Sequence, residues 1–257
     1  MPSPIILIGL GQLGRVFAGG LLRTGHTVVP VNRGDDPAAV AVQWPAPALA
    51  LVAVAEPDLH PVLERMPAAW RDRVGLLQNE LLPRDWQAHD IADPTVVSVW
   101  FEKKAGMDAK PLLPSPAHGP QADCLVRALE AIRLPARLLP DAAALEWELV
   151  RKNLYILTTN IAGLLVGGNV GELWGQHREM AESVADEVLD IQDWLTGRTC
   201  DRPPLMAGLV EAIQADPAHG CAGRSAPARL ARALAHADAA GLGVPLLRRI
   251  ALEQGRA

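Results

Sequence analysis

The chain has 257 residues, about half of them apolar (49%), and a formal net charge of −5. That length accommodates one large or two modest domains with a substantial core, and the mild acidity excludes the basic footprint of a nucleic-acid binder or of a protein drawn to an anionic membrane surface. Three cysteines, Cys124, Cys200 and Cys221, stand far apart without a CxxC or a nearby histidine pair, which argues against a disulfide framework or structural zinc and for a reducing, cytoplasmic setting.

The amino-terminal Met1-Pro2-Ser3-Pro4 carries no basic side chain and the apolar run after it ends in a glycine motif, so no signal peptide is expected. The longest apolar run, Ala46 to Ala55, is broken by Pro47 and is too short to span a bilayer. Ile5-Ile6-Leu7-Ile8 reads as a buried strand that turns into Gly9-Leu10-Gly11-Gln12-Leu13-Gly14, a GxGxxG cradle for a pyrophosphate. A helix follows to Thr24, stopped by Gly25, and Thr27 to Val31 reads as a second strand, completing a strand-helix-strand unit.

The end of that second strand tunes the choice of dinucleotide. An NAD site usually places a carboxylate there to hold the ribose hydroxyls, whereas this chain has Asn32-Arg33, and a guanidinium suits a ribose phosphate. The expectation is NADP(H), with Asn32 and Arg33 at the adenosine ribose; the alternative makes Arg33 a solvated loop residue and gives the acid role to Asp35 or Asp36.

Further along, a short helix is expected over Pro37 to Val42, strands over Ala48 to Val54, Val74 to Leu77 and Thr95 to Phe101, a short one over Lys110 to Leu113, and a helix opening at Glu56-Pro57-Asp58. This alternation predicts an α/β fold, an amino-terminal Rossmann-type doubly wound parallel sheet covered on both faces, with the ligand beyond the carboxyl ends of its strands. Asn79 occupies one such end, where it either reaches a nicotinamide or substrate carbonyl or simply closes a turn. After a helix over Gln121 to Ile132 and an extended piece over Pro135 to Leu139, Pro140-Asp141 starts a helix over Ala142 to Leu165. Helices are then expected near Glu172 to Leu195, Pro204 to Gln214, Pro227 to Ala240 and Leu246 to Gln254. We therefore divide the chain into a dinucleotide-binding domain over 1–140 and an all-helical domain over 141–257 for substrate or dimer contacts; helix patterns leave a homodimer open.

In the long helix Lys152 and Asn160 are eight residues apart, so they share a face, where a lysine ammonium can act as general acid and an amide can orient a carbonyl. Taken alone, Lys152 would read as a solvated surface charge. Glu172 and His177, Lys103-Lys104, Trp147 and Trp174 read as solvated or packing residues, and no metal-ligand cluster, GxSxG or catalytic cysteine motif is present.

The order GLGQLG, Val31-Asn32-Arg33, Gln78-Asn79 after the fourth strand, then Glu146-Trp147 to Lys152 and Asn160, with a closing Gly241-Leu242-Gly243-Val244-Pro245, resembles the ketopantoate reductase family. The resemblance implies a Rossmann domain followed by a helical domain and NADPH-dependent reduction of 2-dehydropantoate or another small 2-oxo acid at the cleft between them. It further implies that Gly9, Gly11 and Gly14 hold the pyrophosphate, Arg33 the 2′-phosphate, Asn79 the nicotinamide side, and that Lys152 is the acid, with Asn79 and Asn160 orienting substrate. The chain departs from the family at Ala55-Glu56, where a lysine is usual, at Ile156, where a second asparagine is usual, and over His219 to Pro227, which lacks the family's serine and glutamate. Those departures keep two rivals in play: a non-catalytic NADP-binding sensor, and a reductase of the same architecture acting on an imine or amino-acid derivative.

Overall fold

The computed structural model describes residues 3–255; Met1 and Pro2 of the amino-terminal tetrapeptide lie outside them. The chain divides into two compact units, one up to Leu149 and one from Val150 onward.

The first unit runs β1 (Ile5–Ile8), α1 (Gln12–Arg23), β2 (Val28–Val31), α2 (Pro37–Gln43), β3 (Leu49–Val52), a 3-10 turn at Glu56–Asp58 leading into α3 (Leu59–Glu64), and a second 3-10 turn at Ala68–Arg73. It continues with β4 (Val74–Leu76), α4 (Pro83–Gln87), β5 (Thr95–Val97), β6 (Phe101–Glu102), β7 (Lys110–Pro111), β8 (Ser115–His118), α5 (Ala122–Glu130) and β9 (Ala136–Leu138), and reaches the first turns of α6 (Ala142–Val166). The main sheet has the order β2-β1-β3-β4-β5-β8-β9. β1 pairs in parallel with β2 on one side (Ile5 opposite Val28) and with β3 on the other (Ile5 opposite Leu49), so the winding reverses at β1.

Burial explains why these short apolar runs are strands. All of β1 and β3 is inaccessible or nearly so, as expected of central parallel strands covered on both faces. Ile5, Leu7, Leu49 and Leu51 belong to a core that also holds Val16, Phe17 and Leu21 of α1 and Leu125 and Leu129 of α5. The alternate residues Ile6, Ala50 and Val52 point the other way and are equally buried. Between β3 and β4, Leu59, Leu63, Met66 and Trp70 are buried, and the Trp70 indole donates to the Trp44 carbonyl at 2.9 Å.

Two expectations need correction here. The sheet is parallel-dominated, with one antiparallel pair: β8 runs antiparallel to β5 (Val96 opposite His118), and β9 pairs in parallel with β8. β8 escaped the sequence pattern because Ser115-Pro116-Ala117-His118 carries a proline and no large β-branched residue; Pro116 takes part through its carbonyl, which accepts from the Ser98 amide at 2.9 Å. The single strand expected over Thr95 to Phe101 is two. The chain leaves the main sheet after Val97, the Trp100 amide is taken by the Ser115 hydroxyl at 2.9 Å, and Phe101–Glu102 forms a separate antiparallel pair with Lys110–Pro111.

The helix opening at Ala142 is capped as its sequence implies, Asp141 accepting from the Ala144 amide at 2.8 Å. Its first turns belong to the first unit, where Glu148 pairs with Arg137 of β9. From Glu148 to Thr159 every residue of α6 is buried, so this helix is enclosed all round where a surface helix would bury only one apolar stripe.

The second unit is helical: the rest of α6, then α7 (Val170–Gln176), α8 (Arg178–Thr196), α9 (Arg202–Ala215), α10 (Ala226–Ala240) and α11 (Pro245–Gln254). The helix expected over Glu172 to Leu195 is broken at His177. An Asn169–Glu172 capping box starts α7, and α8 begins afresh at Arg178 and stops at Gly197 in the left-handed conformation. Glu187 of α8 caps α11, its carboxylate accepting from the Leu246 and Leu247 amides at 2.8 and 2.9 Å. Among the described residues no helix is long and apolar enough to cross a membrane.

Candidate functional site

The glycine motif folds as its spacing requires. Gly9, directly after β1, has φ +95°, and a Cβ there would come within 2.9 Å of the Ala53 carbonyl oxygen. A Cβ at Gly14 would collide with the Gly9 carbonyl oxygen, so the third glycine lets α1 start close against the turn. The space around Gly11 is open. Gly11 is also the N-cap of α1 and offers no side chain to the first-turn amides, which leaves Gln12, Leu13 and their neighbours presenting main-chain donors to an anion. The Leu10 carbonyl is held by the Arg15 guanidinium at 3.1 Å.

Beyond the carboxyl ends of β1, β2 and β3 lies a cavity of about 430 Å³, lined among others by Gly9, Gly11, Asn32, Arg33, Ala55 and Arg65. It is of the size that ligand sites occupy, and it sits where the sheet winding reverses. Both acids that could have taken the ribose role are engaged with main chain: Asp35 accepts from the Asn32 amide at 2.6 Å and Asp36 from the Ala38 amide at 3.0 Å. The Arg33 side chain is 94% exposed and touches Asp58 at 3.4 Å. Arg65, one turn past Pro61 and Val62 on the same wall, is a second cation that sequence reasoning missed, since nothing in the local pattern distinguishes it from a solvated helix end. The glycine cradle and the open space at Gly11 fit the pyrophosphate of a dinucleotide, and Arg33 and Arg65 line the same cavity.

Asn79 does not line this cavity. Its Nδ2 donates to Glu56 Oε1 at 3.0 Å, while Gln78 ties the ends of β3 and β4 together by donating to the Val52 and Val54 carbonyls at 2.8 and 3.3 Å.

In the second unit, Lys152 is buried at 9% exposure. Burial, then the positive charges of Arg229 and Arg151, lower its pKa to about 7. Asn160 is fixed at both ends, donating through Nδ2 to the Cys221 carbonyl at 2.9 Å and accepting at Oδ1 from Arg229 at 2.6 Å. Arg151 is salt-bridged to Glu211 at 2.8 Å. Arg229, which sequence reasoning did not single out because it is 69 positions from Asn160 and carries no motif, is hydrogen-bonded to Asn160, and its charge bears on Lys152.

No protein-family model matches the chain, and no curated protein matches it in sequence. Solved structures do match. A PanE/ApbA family ketopantoate reductase from Ralstonia eutropha superposes with a TM-score of 0.67 at 16% identity, covering 96% of this chain and 95% of that one. A 2-dehydropantoate 2-reductase from Porphyromonas gingivalis gives 0.66 at 15% identity over 99% of both chains. D-mandelate dehydrogenase, solved with NADH and anilino(oxo)acetate, gives 0.66 at 14% identity over 96% of both. The fold is that of the ketopantoate reductases.

Within the ketopantoate reductase fold, the position where the resemblance leads to a lysine holds Glu56, whose carboxylate accepts from Asn79. The minor candidates take structural roles. Glu172 caps α7, accepting from the Asn169 amide at 3.1 Å. Lys104 pairs with Glu102 at 3.0 Å and Lys103 binds the Lys104 and Met107 carbonyls in the β6–β7 loop. Trp174 lies 5.0 Å from the Arg178 guanidinium. Among the described residues no three His, Cys, Asp or Glu side chains come together as a metal cage.

Proposed function

We propose that the protein is an NADPH-dependent reductase of a small 2-oxo acid or related carbonyl compound, a divergent relative of the 2-dehydropantoate 2-reductases. The observation that carries this reading is Lys152: a buried lysine with a pKa near 7 is poised to give and regain a proton at neutral pH. The solved relatives act on, or are named for, substrates of this kind, and the D-mandelate dehydrogenase structure holds NADH. The choice of NADPH rests on Asn32, Arg33 and Arg65 at the cavity; of the two nearby acids, Asp36 caps α2, and Asp35, which also lines the cavity, has a carboxylate oxygen taken by the Asn32 amide.

In this reading Gly9 to Gly14 hold the pyrophosphate against the start of α1, with Leu10, Gln12 and Leu13 supplying main-chain contacts, and Arg33 and Arg65 face the 2′-phosphate. When bound, the dihydronicotinamide supplies a hydride to the carbonyl carbon. Lys152 donates the proton to the carbonyl oxygen, Asn160 orders the groups beside it, and Asn79 is assigned to the nicotinamide side, where binding would exchange its Glu56 contact. The same reading places the enzyme in the cytoplasm, whose NADPH pool and reducing conditions suit three free thiols.

Calorimetric titration with NADPH and NADH, repeated on Arg33→Ala, tests the cofactor. Tight NADPH binding that weakens in the variant supports the reading. Equal binding of NADPH by variant and wild type removes Arg33 from it, and no binding of either nucleotide removes the reading altogether. NADPH binding without turnover of any carbonyl compound would point instead to the sensor.

A further inference from the structure

We propose that Asp35 is the acceptor for the adenosine ribose hydroxyls, so that the cavity beyond β1, β2 and β3 takes NADH as well as NADPH. The inference rests on the nicotinamide reading and goes beyond it, because it gives the site a second cofactor and names the residue that sets the ratio between the two.

The residue is placed by a turn. Asn32, Arg33, Gly34 and Asp35 follow β2, and the turn is closed twice: the Asp35 amide donates to the Asn32 carbonyl at 3.1 Å, and the Asn32 amide donates to Asp35 Oδ2 at 2.6 Å. Gly34, third of the four, has φ +100°, the backbone region that such a turn asks of glycine at that position. All four residues line the cavity. The turn therefore presents a guanidinium and a carboxylate to one space, and the same two hydrogen bonds fix where both begin.

The bond to Asn32 does not exhaust the carboxylate. Its two oxygens offer about four acceptor positions, of which the amide takes one. Ribose hydroxyls are donors, and an acid shortly after the second strand is how dinucleotide folds hold them. Charge argues in the same direction. The charged residues that line the cavity are Arg33, Arg65, Asp35 and Asp58, two of each sign. A site committed to a 2′-phosphate gains by excluding carboxylates, which repel it, and one committed to bare hydroxyls needs no guanidinium. The mixed lining serves both. Asp35 accepts from the 2′- and 3′-hydroxyls of NADH. With NADPH, Arg65 and an Arg33 drawn away from Asp58 offset the repulsion between Asp35 and the phosphate.

The test is calorimetric titration of the wild type and of Asp35→Asn with NADPH and with NADH, at one pH and ionic strength. The asparagine keeps an oxygen for the Asn32 amide, and so keeps the turn, while its other arm changes from an acceptor to a donor. The wild type should bind both nucleotides, with affinities within about 100-fold of each other. Asp35→Asn should weaken NADH about 10-fold and tighten NADPH about threefold, effects of opposite sign that a merely structural role would not produce. If the asparagine variant fails to fold, Asp35→Ser carries the same prediction, since a hydroxyl can accept from the turn amide without bringing a charge. Wild-type binding of NADPH with NADH more than about 100-fold weaker overturns the inference and leaves the NADPH reading standing. So does a folded variant that shifts both affinities by the same factor, or neither. A wild type that binds no NADPH overturns the inference together with that reading.

Discussion

The two units hold their cations on opposite terms. Arg33, at the end of a strand in the first unit, has a side chain 94% exposed and is paired with Asp58 at 3.4 Å. Lys152, in the second unit, is 9% exposed, and burial, followed by the positive charges of Arg229 and Arg151, lowers its pKa to about 7. Water keeps a cation ready to bind an anion; burial turns one into an acid. On the proposed reading, the contrast separates a unit that grips a phosphate from a unit that moves a proton.

The sharpest break of that contrast is Lys152→Ala. It should lower the rate of carbonyl reduction about 100- to 10,000-fold while leaving NADPH affinity intact, as measured by stopped-flow turnover beside nucleotide titration. Gly14→Ala attacks the other side. Its Cβ would meet the Gly9 carbonyl, which should destabilise the first unit by about 1–3 kcal/mol in a denaturant titration and abolish measurable nucleotide binding. Arg33→Ala should weaken NADPH about 10- to 100-fold and leave NADH unchanged, and Arg65→Ala should weaken NADPH less.

The pH profile sharpens the comparison with a sign. Below about 7 the Lys152 ammonium is present and can donate, so kcat/KM for reduction should be flat there and fall as pH rises through that value. For oxidation of the 2-hydroxy acid the neutral amine is the useful form, and kcat/KM should rise through the same pH. A reduction limb falling only near 10 would mean that the lysine is not held down by its surroundings. Smallest of all, Asp58→Asn should tighten NADPH about two- to fivefold by removing the exposed competitor for Arg33, an effect that added salt should diminish.

What was legible beforehand was what the chain determines locally. The glycine spacing, Asn32-Arg33 and the Asp141 cap depend on neighbours in sequence, and so do helices bounded by Pro and Gly. β8 was hidden because its register with β5 and β9, and not its own residues, makes it a strand. Helical spacing could suggest a shared face for Lys152 and Asn160, but not the environment that sets the lysine's chemistry. Arg229 meets Asn160 across 69 residues, and Arg65 becomes a cavity wall only once β3 and α3 are in place. Neither is distinguishable in sequence from the other arginines of an arginine-rich chain. Asn79 lies three residues past β4, and its link to Glu56 could not be read from spacing.

The central claim is that one unit supplies a nicotinamide site and the other an acid for carbonyl reduction. Its most direct test is consumption of NADPH, followed by absorbance, when the wild-type protein and Lys152→Ala meet the same panel of 2-oxo acids. The account predicts turnover of at least one acid by the wild type and its collapse in a variant that still binds NADPH. Turnover undiminished in Lys152→Ala, or no turnover by a wild type that binds NADPH tightly, would contradict it.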